Sequence, residues 1–232
     1  MKTSMKYRIA PVAISIIMLM QSVAAFPPPP SSIALISKVV LEVNRKEMGK
    51  DWQTAKKGET LSSGDKVKTG ARSVAIIKFK DNSLIRVREL TELTVTGSMN
   101  GSAFSKSVEM KSGVIGFNIK KQQPGEEFRF SSPTSVASIR GTSGSLTLGD
   151  TLVVTDGAIE FTNTVSSNTV NVQAGFTGIS NPDGTITTRP STPEEKAAAE
   201  QAARVSEQDN MLEFDLRDGK GNSKRLKIEF KD

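Results

Sequence analysis

The stretch SGDKVKTGARSVAIIKFKDNSLIRV, residues 63–87, decides the fold class of this chain. It alternates short runs rich in β-branched residues with turns built on Gly, Asp and Asn. The segments SGVIGFNIKK (112–121) and SPTSVASIRGT (132–142) continue the pattern. Asp and Asn side chains bond the local backbone and glycine tolerates positive φ, so these residues mark turns between strands. The region is therefore predicted to be all β.

Strand-like runs and turns continue from Ile33 to about Gly178. In several runs apolar and polar residues alternate, as in Phe128 and Phe130 against Glu127 and Arg129, which indicates half-buried strands. Strands about every ten residues, with no helical pattern between them, exclude a parallel βαβ sheet. A sandwich, a barrel and a β-solenoid all remain compatible with this pattern.

The character of the sequence changes near Asn181, and residues 181–232 are predicted to form a separate helix and hairpin. Thr192 to Glu195 has the pattern of a capping box, with Pro193 at the first helical position. The Ala-rich run that follows predicts a thin surface helix packing along its Ala face, with a docking helix for a partner as the alternative. Residues 211–230 contain two further apolar-alternating runs, joined by Asp218 to Asn222, and predict a β-hairpin.

The N-terminus has the pattern of an export signal over residues 1–25, followed by a Pro-rich spacer over 26–32. Lys2, Lys6 and Arg8 precede an apolar run, and small residues at 23–25 suit cleavage before Phe26. The expected location is the periplasm or the exterior of a bacterium. Contact with a membrane is expected only if the segment is not cleaved.

Composition excludes several classes of function. The chain has no cysteine and no histidine, which rules out disulfides, His/Cys metal sites and histidine-dependent catalysis. Removing residues 1–25 lowers the formal charge of +6 by three, and the remaining Lys and Arg are scattered. Nucleic acid is therefore not an expected partner. We also expect no metal, no cofactor and no enzymatic activity.

Three local patterns could be mistaken for chemical sites. Ser63 to Lys66 fits S-x-x-K and Lys68 to Gly70 fits K-T-G, but they lie too close together and outside the helix that this chemistry needs. The turns at 81–83 and 218–222 lack the spaced carboxylates of a calcium loop. A carboxylate-based hydrolase stays the least favoured alternative, because scattered acids show no paired geometry.

The ordered set of segments resembles a FecR-type domain over about residues 58–178. The resemblance rests on SGDKVKTG (63–70), the DNS turn (81–83), KSGVI (111–115) and PTSVASIRGT (133–142). Asn82 and Ser138 depart from the glycines commoner in the family. The residues matching family motifs, which we interpret as structural, are Gly64, Asp65, Thr69, Gly70, Asp81, Ser83, Gly113, Pro133, Val136, Arg140, Gly141 and Thr142.

The resemblance implies a β-solenoid-like or rolled antiparallel sheet domain over residues 33–180. It also implies a role for the chain in the bacterial envelope. The first interpretation is a non-enzymatic module that binds a protein or a cell-wall component. The alternative is a periplasmic regulatory module in envelope signal transduction. Control of a sigma factor is not expected to transfer, because only eight residues precede the apolar run. A second copy is a further candidate partner, through pairing of sheet edges.

Overall fold

The computed structural model describes residues 32–100, 103–147 and 151–204, together with the backbone of 211–217 and 223–229. The predicted signal segment, 1–25, lies outside the described residues. So does the predicted spacer, 26–32, except for Ser32 at the start of the first strand.

The described chain is built almost entirely of short strands. These are β1 (Ser32–Val40), β2 (Val43–Lys46), β3 (Gln53–Thr54), β4 (Thr60–Ser62), β5 (Lys66–Thr69), β6 (Val74–Phe79), β7 (Leu84–Val87), β8 (Glu92–Asn100), β9 (Ala103–Ser112), β10 (Val114–Asn118), β11 (Phe128–Ser131), β12 (Ser135–Ile139), β13 (Ser143–Thr147), β14 (Thr151–Asp156), β15 (Ala158–Asn163), β16 (Thr169–Gln173), β17 (Phe176–Ser180), β18 (Ile186–Pro190), β19 (Met211–Arg217) and β20 (Ser223–Glu229). One helix, α1 (Pro193–Ala203), lies between β18 and β19.

Eighteen of these strands form two nine-stranded sheets. Sheet A has the order β18-β17-β14-β13-β10-β7-β6-β1-β4, and sheet B has the order β16-β15-β12-β11-β9-β8-β5-β2-β3. Neighbouring strands run antiparallel, except that β11 runs parallel to β9. The prediction of a mainly β fold is thus confirmed, and the exclusion of a parallel βαβ sheet holds.

The path of the chain explains the solenoid-like character. Apart from β3 and β4 at one end, strand numbers rise steadily along both sheets. The chain crosses from one sheet to the other every one or two strands and adds to both in the same direction. The result is a rolled double sheet in which most strands lie beside recent neighbours in sequence.

The core lies between the inner faces of the two sheets. Phe79 of sheet A meets Phe128 of sheet B with ring centroids 4.9 Å apart, and Phe117 meets Phe130 at the same separation. All four rings are buried. Burying such a side chain stabilises the fold by about 1.5–3 kcal/mol, so these rings and the aliphatic residues around them join the sheets. The alternation at Phe128 and Phe130 correctly predicted the inward face of β11.

The helix packs on the outer face of sheet A. Ala199, Ala202 and Ala203 are its buried residues, as the predicted Ala face requires. The helix contacts β7, β10, β13 and β14. Gly116 of β10 lies directly against the carbonyl of Ala202, where a Cβ atom would clash. The docking surface of this helix is therefore a sheet of its own chain.

The start of the helix is capped as predicted. Thr192 Oγ1 accepts a hydrogen bond from Glu195 N at 3.2 Å, and the Glu195 carboxylate accepts one from Thr192 N at 2.9 Å. Arg189 holds the same carboxylate through bonds of 2.7 and 2.8 Å. No helix within the described ranges is long and apolar enough to cross a membrane.

The C-terminal hairpin is also present. Strands β19 and β20 pair antiparallel, with Leu212 opposite Ile228 and Phe214 opposite Leu226. Sheet A extends past Ser180, because β18 pairs with β17. The segment after residue 180 thus contains a strand of the main sheet as well as the helix and the hairpin.

Candidate functional site

The first family-motif segment forms a structural turn. Asp65 is 4% exposed, and its carboxylate accepts hydrogen bonds from the backbone N–H groups of Met48 and Ser62 at 3.1 and 2.9 Å. Gly64 has a φ of +93°, which glycine adopts without the steric cost that other residues carry. Both residues set the backbone conformation of the turn that precedes β5, in line with the structural interpretation.

Thr69, Gly70 and Gly113 meet around a second turn. The Thr69 hydroxyl accepts a hydrogen bond from Thr91 N at 3.1 Å and donates to backbone carbonyls. Gly113 lies against Thr91 with a φ of +88°, where a Cβ atom would overlap the Thr91 side chain. Gly70 packs as closely on Glu42. Thr69, Gly70 and Gly113 thus serve the packing of this turn, in line with their structural interpretation.

Asp81 and Ser83 belong to a polar network around a buried lysine. Lys106 of β9 is 3% exposed, and its ammonium group lies 2.9 Å from Asp81 Oδ2 and 3.9 Å from Glu126 Oε2. Gln122 Nε2 donates to the same Asp81 oxygen at 2.9 Å. Ser83 donates to Asp81 through both its backbone N–H and its hydroxyl. A charge as deeply buried as Lys106 requires such partners.

The Arg140-Gly141-Thr142 segment meets the Asp81 turn across residues 119–122. Thr142 and Ile119 exchange two backbone hydrogen bonds of 3.0 and 3.1 Å, and Gln122 N donates to Arg140 O at 3.3 Å. Lys120 N donates to Ser83 Oγ at 3.1 Å. Gly141 has a φ of +129° and lies against the backbone of Lys121. Two motifs that are far apart in sequence thus clamp one segment between them.

That clamped segment forms one wall of a half-open cleft of about 910 Å³. The lining residues are almost all polar or charged, and they are Lys121, Gln122, Gln123, Pro124, Gly125, Glu126, Glu127, Arg129 and Arg140. A neighbouring hollow of about 350 Å³ shares Glu127 and Arg129 with it and extends the surface toward β8 and β9.

Carboxylates at the cleft are held in their ionised form. Burial alone would raise the pKa of Asp81, but hydrogen bonds from Lys106, Gln122 and Ser83 bring it below its ordinary value. Burial would raise the pKa of Glu127 as well, but hydrogen bonds from Arg129 and Ser138 outweigh this effect, so the pKa of Glu127 is also lowered. A general acid needs a raised pKa to stay protonated at neutral pH, and neither Asp81 nor Glu127 has one.

The remaining predicted residues lie away from the cleft. Pro133 is exposed in the β11–β12 turn, and its carbonyl accepts a bond from the Thr164 hydroxyl at 3.0 Å. Val136 is half-buried in β12, at a position that alternates with the core residues Ala137 and Ile139. Ser63 of the S-x-x-K pattern lies in a turn and exchanges hydrogen bonds with the backbone of Gly97.

The residues of this site that were not singled out from the sequence include Lys106, Gln122, Glu127 and Arg129. For Glu127 and Arg129 a signal existed, because their alternation with Phe128 and Phe130 places them together on the outer face of β11. They form an ion pair of 2.6 Å. Lys106 gave no such signal, since its partner Asp81 is 25 residues away in the chain.

A family model described as FecR protein matches residues 65–160. The match begins at the buried Asp65 and ends within β15, so it includes the Asp81 turn, Lys106, the cleft and the Arg140 segment. The resemblance seen in the sequence is confirmed over these residues. A search of curated proteins found none that matches the chain.

Solved structures that are similar to this chain include two of one protein. Both are crystal structures, at 1.65 and 2.50 Å resolution, of a protein from Parabacteroides distasonis ATCC 8503 that is assigned provisionally as an anti-sigma factor. Each is 15% identical, with TM-scores of 0.47 and 0.48, and each alignment covers 57% of this chain. The chain spans 63% and 62% of the length of those structures, which is less than two thirds.

Proposed function

We propose that this chain is a non-enzymatic regulatory module in signal transduction that acts by binding another protein. The observation that carries the proposal is the FecR-type domain over residues 65–160. It favours the regulatory interpretation over binding of a cell-wall component. The lowered pKa values of Asp81 and Glu127 add support for a function without proton-transfer chemistry.

The cleft is the surface that we assign to the partner protein. Pockets for small ligands are mostly apolar and enclosed, whereas this cleft is open and lined by charge. Its cations are Lys121, Arg129 and Arg140, against the two anions Glu126 and Glu127. Arg129 is paired with Glu127, while Arg140 is exposed and lines the cleft. An acidic segment of a partner would complement this surface.

Photo-crosslinking in the producing bacterium tests the assignment. A photoreactive residue at Gln123, in the cleft, should capture a discrete protein. The same residue at Ser167, in the exposed β15–β16 loop, should not. Arg140→Glu should weaken capture and change the transcription of a defined set of genes, whereas Lys57→Glu, an exposed charge reversal elsewhere, should change neither. Capture of glycan instead of protein, or equal capture from both positions, would contradict the proposal.

Export to the envelope is part of the same proposal and rests on the pattern of residues 1–25. Fractionation followed by N-terminal sequencing tests it. A soluble envelope form starting near Phe26 is expected. A membrane-retained form that still begins at Met1 would show that the segment is an uncleaved membrane anchor. A cytoplasmic form would contradict export.

A further inference from the structure

The outer face of sheet A carries a row of residues that runs straight across the strands. Successive register pairs join them from β1 to β17 in the order Lys38, Ile76, Arg86, Gly116, Ser145, Val153 and Thr177. From Ile76 to Val153 they alternate with core residues of the same strands, so this part of the row faces away from sheet B.

Helix α1 covers most of this row. At its N-terminal end, Glu195 Oε2 accepts a hydrogen bond from Thr177 of β17 at 3.0 Å. At its C-terminal end, the Gln201 carbonyl accepts one from Arg86 Nη1 of β7 at 3.4 Å. Four strand spacings of about 4.8 Å separate β17 from β7, close to the length of about 16 Å of an eleven-residue helix. The helix therefore crosses the strands and points toward β6 and β1.

Beyond the end of the helix the outer face is apolar and buried. Ile76 is 3% exposed, and the register pair Val40 and Val74 on the same face is 4% and 6% exposed. None of the three belongs to the core between the sheets. The Lys38 ammonium nitrogen beside Ile76 is shielded from solvent as well. Side chains on one face of a sheet reach such burial only beneath a second layer.

We propose that the C-terminal hairpin, β19 and β20, is this second layer and packs its apolar face over Ile76, Val74 and Val40. The chain leaves α1 beside β7, and the six residues 205–210 can span about 20 Å, while β1 is only about 10 Å further on. The hairpin register places Leu212, Phe214, Leu226 and Ile228 on one face. A hairpin alone is marginal in water and needs such a surface.

The absence of native cysteine allows a direct test. Ile76→Cys is expected to react slowly with a thiol reagent in the full chain. Phe214→Asp in the same background should raise the rate by about tenfold or more, because it opens the cover locally. Asp215→Ala, on the opposite hairpin face, should leave the rate unchanged. Ala75→Cys, in the core on the same strand, should stay protected throughout, and Ser98→Cys should react fast throughout.

Three results would overturn the proposal. Ile76→Cys could stay protected in Phe214→Asp and in a chain that stops at Arg204, which would assign the cover to another segment. Its protection could fall on dilution, which would assign the cover to a second copy. If Ala75→Cys becomes reactive in the Phe214→Asp background, the two main sheets have unfolded and the change in reactivity is not informative. Cross-linking in a chain with no other substitution is then the deciding experiment. Ile76→Cys should then join to Phe214→Cys or Leu226→Cys within one molecule through a short bismaleimide, and no such product would reject the hairpin.

Discussion

Removal of the Asp81 carboxylate should destabilise the fold far more than loss of a surface charge. In Asp81→Ala the Lys106 ammonium group, 3% exposed, keeps only Glu126, 3.9 Å away, as an acidic partner. Breaking a buried ion pair costs about 3–5 kcal/mol. We expect the lower end, because Asp81 is 20% exposed and Glu126 remains. Lys106→Met should cost less, about 1–2 kcal/mol, since Asp81 keeps its bonds from Ser83 and Gln122.

The double variant separates the pair from its surroundings. Asp81→Ala with Lys106→Met removes both charges, so its loss in unfolding free energy should be smaller than the sum of the single losses by about 1–3 kcal/mol. Urea denaturation at pH 7 measures all three. Lys50→Met, which breaks the exposed pair with Glu47, is the matched control and should cost at most about 1 kcal/mol. Additive losses, or an Asp81→Ala effect no larger than the control, would refute the reasoning.

The same pair predicts a pH dependence. Hydrogen bonds hold the pKa of Asp81 below its ordinary value despite burial, which by itself would raise it. Its stabilising contribution is therefore complete above the unfolded-state pKa of about 3.9 and is lost as pH falls through the lower folded-state pKa. The difference in stability between the native chain and Asp81→Ala should shrink progressively as pH falls below about 3.9.

Three further predictions concern backbone geometry and the helix. Gly113→Ala should cost several kcal/mol in thermal unfolding, because its Cβ atom would overlap Thr91, whereas Gly49→Ala, also at positive φ but in open space, should cost only about 1–2 kcal/mol. Gly116→Ala should push α1 off sheet A, seen as faster hydrogen exchange in residues 199–203 with the core still protected. Glu195→Gln should cost about 1–2 kcal/mol at pH 7 and progressively less as pH falls, because hydrogen bonding from Arg189 lowers the pKa of Glu195 to about 2.

Each of these has an outcome that would count against it. Equal losses in the two loop glycine variants would remove the steric account of Gly113. Unchanged exchange in the helix of Gly116→Ala would mean that α1 does not rest on that strand. A Glu195→Gln effect that stays constant from pH 7 to pH 2 would show that the ionised carboxylate is not what holds the helix start.

Local features of this fold were readable from the sequence, while its long-range pairings were not. The turn glycines Gly64, Gly113 and Gly141 do adopt positive φ, and Asn82, the departure from the family pattern, adopts a φ of +63°, which Asn tolerates. The capping box at Thr192 was correctly predicted, since its two partners are three residues apart. Such signals are local because neighbouring residues alone determine them.

Pairings across the roll left no comparable signal. Nothing near Lys106 in sequence shows that it is buried, because its burial depends on Asp81 in the β6–β7 turn and Glu126 in the segment before β11. The parallel pairing of β9 with β11 could not be predicted from the sequence either, because it depends on the path that residues 119–127 take between the sheets. The same residues form the cleft, so its location could not be predicted, although Arg140 was singled out from the sequence as a family-motif residue.

The steady advance of the strands along both sheets has a consequence for how the chain can be made. From β3 to β18, each strand that emerges already has one sheet neighbour present, because that neighbour precedes it in the chain, and it need not wait for the C-terminus to begin pairing. The roll can therefore form progressively from its N-terminal end, with one growing edge in each of the two sheets. Synthesis that stops after any completed hairpin would leave a shorter roll of the same design. The number of hairpins is thus free to differ between proteins built on this plan.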